Sequence, residues 1–140
     1  MKILIMGLPG SGKTYLTERL VPLIGAAWFN ADKVRAMAND WDFSLEGRVR
    51  QSNRMKSFAD FEKSHGRIAV CDFVCPTVET RRLFDAEFTV WLDTIKEGRF
   101  EDTNQLFERP TDVEIRITEW NEKNHHDVAE EVLRLRGRNV

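Results

Sequence analysis

Residues 7–14 read Gly7-Leu8-Pro9-Gly10-Ser11-Gly12-Lys13-Thr14, a Gly-x-x-x-x-Gly-Lys-Thr pattern that follows the apolar run Ile3-Leu4-Ile5-Met6. The residue types dictate a chemistry. Gly7, Gly10 and Gly12 permit backbone angles that turn successive N–H groups toward one anion. A helix beginning near Lys13 adds the positive end of its dipole. The Lys13 ammonium reaches the β- and γ-phosphates of a nucleoside triphosphate, and the Thr14 hydroxyl ligates Mg²⁺. Pro9 and Ser11 complete the loop. A buried strand before the motif and a helix after it are the context it requires. The sequence therefore predicts a phosphate-binding loop, or P-loop, for ATP and Mg²⁺.

Phosphoryl transfer to a hydroxyl needs a second set of groups that aim the acceptor. Parallel sheets gather such groups at the carboxyl ends of their strands. Asp32, Asp72 and Asp93 each fall at or just past such an end. Asp32 is the candidate to orient or deprotonate the acceptor, although it also reads as a helix N-cap. Asp72 is the candidate outer-shell partner of Mg²⁺. Asp93 reads as a strand-end turn residue. A guanine-specific switch would need Asn-Lys-x-Asp, which Asn121-Glu122-Lys123-Asn124 fails to supply. No Asp-x-x-Gly follows a strand to sense the γ-phosphate. A length of 140 residues leaves no room for the machinery of most mechanical ATPases, so a kinase is favoured.

The elements that must position these groups alternate along the chain. Apolar runs at Lys2–Met6, Ala26–Asn30, Arg67–Asp72, Phe88–Asp93 and Val113–Thr118 read as strands. Between them, helical spacing runs from Lys13 to Leu23, with Leu16, Leu20, Leu23 and Ile24 on one face. Further helices are expected from a cap at Asp32 to Asn39, over Ser44–Ser64 before His65-Gly66, over Val78–Phe84, and over Asp127–Leu135 with Val128, Val132 and Leu135 inward. Residues 94–111 have weak periodicity and contain Gly98 and Pro110, so they read as a loop or short lid. The alternation predicts an α/β fold: a three-layer α/β/α P-loop NTPase sandwich around a mostly parallel five-stranded sheet. It is expected to be one domain over residues 1–140.

Composition fits that expectation. Apolar residues make up 41% of the chain, with nine Phe and four Trp, enough for a core. The formal net charge is −2, which gives no general attraction for nucleic acid or membrane. No run approaches the roughly 18 apolar residues of a membrane span. Cys71 and Cys75 lie too close for a disulfide framework; they read as a buried small hydrophobe and a thiol at the pocket edge. With no signal peptide expected, a cytoplasmic setting follows. His125-His126-Asp127 with Glu130 and Glu131 reads as the polar start of the last helix rather than a metal cluster.

The residues also carry a family likeness. Phe29-Asn30-Ala31-Asp32-Lys33-Val34-Arg35 is similar to a Leu-Asp-Gly-Asp-Asn-Val-Arg motif. Asp40-Trp41-Asp42-Phe43-Ser44, continuing to Arg48, Gln51 and Arg54, is similar to Asp-Leu-Gly-Phe-Ser followed by Arg-x-x-Asn-x-x-Arg. Ile68–Pro76 ends in Phe73-Val74-Cys75-Pro76, like a strand and Phe-Ile-Ser-Pro turn. Val90–Thr94 matches Val-Phe-Val-Asp-Thr, and Phe100, Thr103, Phe107-Glu108 and Pro110 echo a Phe-Thr-Gly-Ile-Asp-x-Pro-Tyr-Glu segment. From Ile3 to about Thr118 the chain thus resembles the adenylylsulfate (APS) kinase family, which moves the ATP γ-phosphate to the 3′-hydroxyl of adenosine 5′-phosphosulfate.

The resemblance implies that Arg35, Arg48 and Gln51 contact the phosphosulfate and ribose, and that Phe43 and Phe100 sandwich the substrate adenine. Val74 and Cys75 would border the same small nucleotide-like substrate. Arginine forks and aromatic faces suit those ligands. A homodimer is also implied. There are departures: Asn30, Lys33 and Gln51 replace Asp, Asn and Asn, and Cys75 replaces Ser. Between Thr94 and Phe100 the chain lacks the family's basic lid, leaving Arg99 and Arg109 as partial substitutes. Two alternatives stay open. One is a kinase of another hydroxyl, including a modified base in DNA, whose backbone Arg48, Arg50, Arg54, Arg81 and Arg82 would follow. The other is a catalytically weak ATP-binding module.

Overall fold

Strand β1 (Lys2–Met6) is buried along its whole length, as a strand covered by helices on both faces must be. In the computed structural model, which describes residues 1–138, it is the centre of a five-stranded sheet ordered β2-β3-β1-β4-β5. The other strands are β2 (Ala27–Asn30), β3 (Ala69–Asp72), β4 (Phe88–Leu92) and β5 (Ile115–Ile117). Every pairing is parallel, so the expected mostly parallel sheet is wholly parallel. Asn139 and Val140, the end of the expected domain, lie outside the described residues.

Helices α1 (Lys13–Ile24), α2 (Ala31–Ala38), α3 (Leu45–Ser64), α4 (Val78–Phe84), α5 (Glu101–Leu106) and α6 (Asn124–Arg138) complete the chain. Two apolar clusters sandwich the sheet. One joins Ile3 and Ile5 to Leu16 and Leu20 of α1 and Val128 and Val132 of α6; the other joins Leu4 and Met6 to Val34, Met55 and Phe84. Alternation along β1 sends successive side chains into opposite cores. Each fully buried aliphatic contributes about 1.5–3 kcal/mol relative to exposure.

Local chemistry sets the ends of the helices. Ser44 accepts from the Gly47 amide to start α3, and Thr77 forms a reciprocal capping box with Thr80 at α4. The cap of α2 is Asn30, whose side chain accepts from the Lys33 amide. That corrects the expectation for Asp32, which lies inside the first turn. Leu23, expected inward, is 41% exposed, because Leu16, Leu20 and Ile24, four residues apart, form the buried stripe of α1 and Leu23 lies at its edge. The structure adds α5 within the segment expected to be loop, and α6 begins at Asn124, ahead of the expected Asp127. His125 and His126 therefore sit in its polar first turn.

Candidate functional site

The loop between β1 and α1 is shaped by its glycines. Gly12 has φ 101° and starts α1 with no side-chain cap, so the first amides of the helix remain available to an anion. Gly7 has φ 155°, and a Cβ there would lie 2.7 Å from the Leu92 carbonyl. Ser11 closes the turn by donating its amide to the Leu8 carbonyl at 3.0 Å. Its Oγ is fully buried and has no hydrogen-bond partner among the described residues. An orphaned hydroxyl in a cradle of amides fits a phosphate-sized ligand.

Lys13 folds over this loop, donating from Nζ to the Gly7 and Leu8 carbonyls at 2.9 and 3.1 Å. Burial lowers its pKa to about 8, opposed by the charges of Asp72 and Asp32 and assisted by Arg99. The loop therefore faces the two carboxylates singled out from the sequence. Asp32 is exposed, its carboxylate freed because Asn30 takes the cap.

Asp72 ends β3 directly beside Asn30 of β2. It is 2% exposed, and Thr14 Oγ1 donates to its Oδ2 at 3.4 Å. Trp28 Nε1 donates to Oδ1 at 2.8 Å, and Asn30 Nδ2 reaches both oxygens at 3.3 and 3.0 Å. Burial raises the Asp72 pKa, while the Trp28 and Asn30 bonds and the nearby Lys13 charge pull it back. Thr14 and Asp72 thus present hard oxygen donors side by side beneath the loop, the donor chemistry Mg²⁺ takes. Sequence reading missed Trp28. The clue was its i, i+2 spacing to Asn30, which puts both on one face of a strand.

The candidate acceptor residues gather around the start of α3. Arg48 is buried and donates to the Phe43 carbonyl at 2.9 Å and Thr103 Oγ1 at 3.0 Å. Arg35 donates to the Asp40 and Asp42 carbonyls and lies 4.3 Å from the Phe43 ring centroid. Gln51 uses both ends of its amide, donating to the Ala31 carbonyl and accepting from Arg54. These polar groups hold α2, α3 and α5 in place. The rings of Phe43 and Phe100 are 49% and 52% exposed, so neither is ordinary core. Val74 is half-buried.

Cys75 departs from the expectation of a pocket-edge thiol. It is 1% exposed, in the left-handed region at φ 47°. Burial pushes its thiol up to about 12, leaving no side-chain group for a substrate. Cys71 is fully buried, as expected. Most of the basic track, though not the exposed Arg82, is also engaged internally. Arg50 and Arg54 pair with Asp40, and Arg81 donates to the Cys75, Pro76 and Glu108 carbonyls. Asp93 binds Arg116, and the largely exposed Arg109 reaches the same carboxylate at 3.5 Å.

The short segment after β4 braces the phosphate loop. Thr94 Oγ1 donates to the Ser11 carbonyl at 2.9 Å. Gly98 sits so near Pro9 that a Cβ would lie 3.1 Å from its carbonyl, and Asn104 of α5 bonds both backbone groups of Gly98. Arg99 is exposed and close enough to Lys13 to affect its proton.

The family model for adenylylsulphate kinase matches residues 1–118. The chain belongs to the adenylylsulphate kinase family. A probable adenylyl-sulfate kinase from Aeropyrum pernix is 31% identical over 88 residues, 56% of this chain and 46% of that protein. The aligned stretch is thus less than half the length of that relative. The APS kinase of Mycobacterium tuberculosis, solved with AMPPNP and APS, superposes with TM-score 0.75 at 20% identity, covering 96% of this chain and 95% of that one. Shikimate kinase from Acinetobacter baumannii gives TM-score 0.58 at 18% identity, covering 99% and 93%. At these identities the two structures speak for the fold, and both are kinases on it.

Proposed function

We propose that this adenylylsulphate kinase family member transfers the γ-phosphate of ATP to a hydroxyl of a nucleotide-like acceptor, the 3′-hydroxyl of adenosine 5′-phosphosulfate. The observation that carries this reading is Lys13, set over an amide-lined loop within the fields of Asp72 and Asp32. The loop amides and Lys13 bind the β- and γ-phosphates. Thr14 and Asp72 would hold Mg²⁺, which supplies charge neutralisation on the transferring phosphoryl group.

Asp32 accepts the acceptor's hydroxyl proton as that oxygen bonds to the γ-phosphorus. The bond from the γ-phosphorus to the β-bridging oxygen breaks, and ADP leaves with that electron pair. Phe43 and Phe100 offer exposed ring faces to the acceptor's base, while Arg35, Arg48 and Gln51 fix the frame that presents them. The packing of Val128 and Val132 of α6 into the same core as β1 supports reading the acting unit as one domain.

A coupled assay with ATP, Mg²⁺ and APS tests the reading; a 3′-phosphorylated product is expected. Asp32→Asn should lose transfer by about 10²–10⁴-fold and still bind ATP. No product beside an active control enzyme would remove APS as the acceptor. The short Thr94–Phe100 segment favours a second reading, in which the open cleft takes a bulkier hydroxyl. An acceptor panel with APS as the inactive member would then replace the first.

A further inference from the structure

The loop that carries Phe43 also carries two acids, and one of them is bound three times over. Arg50 takes both oxygens of Asp40, from Nε to Oδ2 at 2.7 Å and from Nη2 to Oδ1 at 3.0 Å. Arg54 adds a bond from Nη2 to Oδ2 at 2.8 Å. The bonds from Arg50 and Arg54 hold the Asp40 carboxyl well below the usual carboxylate range. Ion pairs this near to solvent add little stability, so three bonds on one acid call for another reason.

Arg35 supplies it. This residue lies one turn after Asp32 on α2 and is 5% exposed. Its Nη1 donates to the main-chain carbonyls of Asp40 and Asp42 at 2.9 and 3.2 Å. Nε and Nη2 have no partner among the described residues, and neither is fully buried. A guanidinium presents five N–H donors in a rigid fork, so Arg35 keeps one edge of that fork unspent.

The acid best placed to take that edge is Asp40, whose own carbonyl Arg35 already holds. Its carboxylate is turned instead to Arg50 and Arg54. Asp42 is pinned in a different way. Its Oδ1 accepts from the Ser44 amide at 2.9 Å, and a Cβ at Gly47 would lie 2.5 Å from its Cγ.

We propose that Arg50 and Arg54 are positioning residues that hold the Asp40 carboxylate off Arg35, keeping the Arg35 guanidinium open for an anionic acceptor. This rests on the acceptor reading above. Without them, the Asp40 carboxylate pairs with Arg35 and occupies the donors that a sulfated or phosphorylated ligand needs.

Initial rates with ATP, Mg²⁺ and APS compare the unmodified chain with Arg50→Gln/Arg54→Gln, with Asp40→Asn, and with the triple variant. The double variant should raise the acceptor KM about ten- to a hundredfold. Its kcat and its KM for ATP should stay within about threefold. Asp40→Asn alone and the triple variant should keep the acceptor KM within about threefold of the unmodified chain, because the competing charge is gone. An ion pair that only braces the loop gives equal losses in all three, since each breaks it.

A crystal structure of the double variant answers without any acceptor: an Asp40 oxygen should lie about 2.7–2.9 Å from an Arg35 nitrogen. An Asp40 carboxylate still clear of Arg35 overturns the proposal, and so do equal losses in the three variants. A tenfold rise in acceptor KM for Asp40→Asn overturns it even if the double variant does not fold. No turnover of APS by the unmodified chain removes that acceptor, and the crystal structure then decides whether Arg50 and Arg54 restrain Asp40.

Discussion

Burial pushes the Lys13 ammonium down to about 8, against an ordinary value of 10.5. An unfolded lysine keeps its proton to that higher pH, so between them the unfolded chain holds more protons. Stability from this group is therefore lowest below pH 8 and rises as pH climbs toward 10.5. Triphosphate binding runs the other way, because it favours the cation. At pH 8 about half a proton should be taken up on binding ATP. Titrations in two buffers of different ionisation heat measure it; identical heats would contradict the placement of Lys13. The loop was legible because its residues lie within eight positions of one another. Trp28 was not, since its bond to Asp72 spans 44 positions. Asn30, which departs from the family's Asp, makes a second residue-level test. Asn30→Asp keeps a capping oxygen but removes both bonds to Asp72 and sets two carboxylates side by side. Thermal denaturation should show a loss of roughly 1–3 kcal/mol at neutral pH, shrinking in acid as one carboxyl takes a proton.

Among the elements, those with an apolar stripe were readable and α5 was not. Its sequence, Glu101-Asp102-Thr103-Asn104-Gln105-Leu106, buries one side chain, Thr103, so no periodicity betrays it. What makes it a helix is tertiary: Asn104 clasps Gly98, and Thr103 accepts from Arg48. Cys75 misled for a related reason, because the turn after β3 folds its side chain inward at a positive φ that local sequence does not announce. Arg48→Met keeps the apolar stem but strands the Phe43 carbonyl and Thr103 hydroxyl. A loss of about 1–3 kcal/mol is expected, with faster amide exchange across residues 94–107. Under the proposed function, the KM for the acceptor should rise more than that for ATP. Unaltered exchange there would show that α5 stands without this tie.

At the scale of the molecule, parallel pairing of every strand collects the loop, Asp32, Asp72 and the exit from β5 along one edge of the sheet. The alternation of apolar runs and helices made that architecture legible, whereas the covering of Gly12 by the Trp120 indole depends on how β5 and α6 are hung. Because the site is spread over the ends of several elements, a ligand that bridges them acts on global stability. Saturating Mg·ATP at about a hundredfold over its dissociation constant adds roughly 2.7 kcal/mol to the folded state. For a chain of this length that raises the melting temperature by about 8–10 °C. Lys13→Ala should lose most of the shift while still folding without ligand, since among the described residues its amine bonds only loop carbonyls. Differential scanning calorimetry on both proteins decides the matter. A full shift in Lys13→Ala would mean that the triphosphate sits somewhere other than this loop.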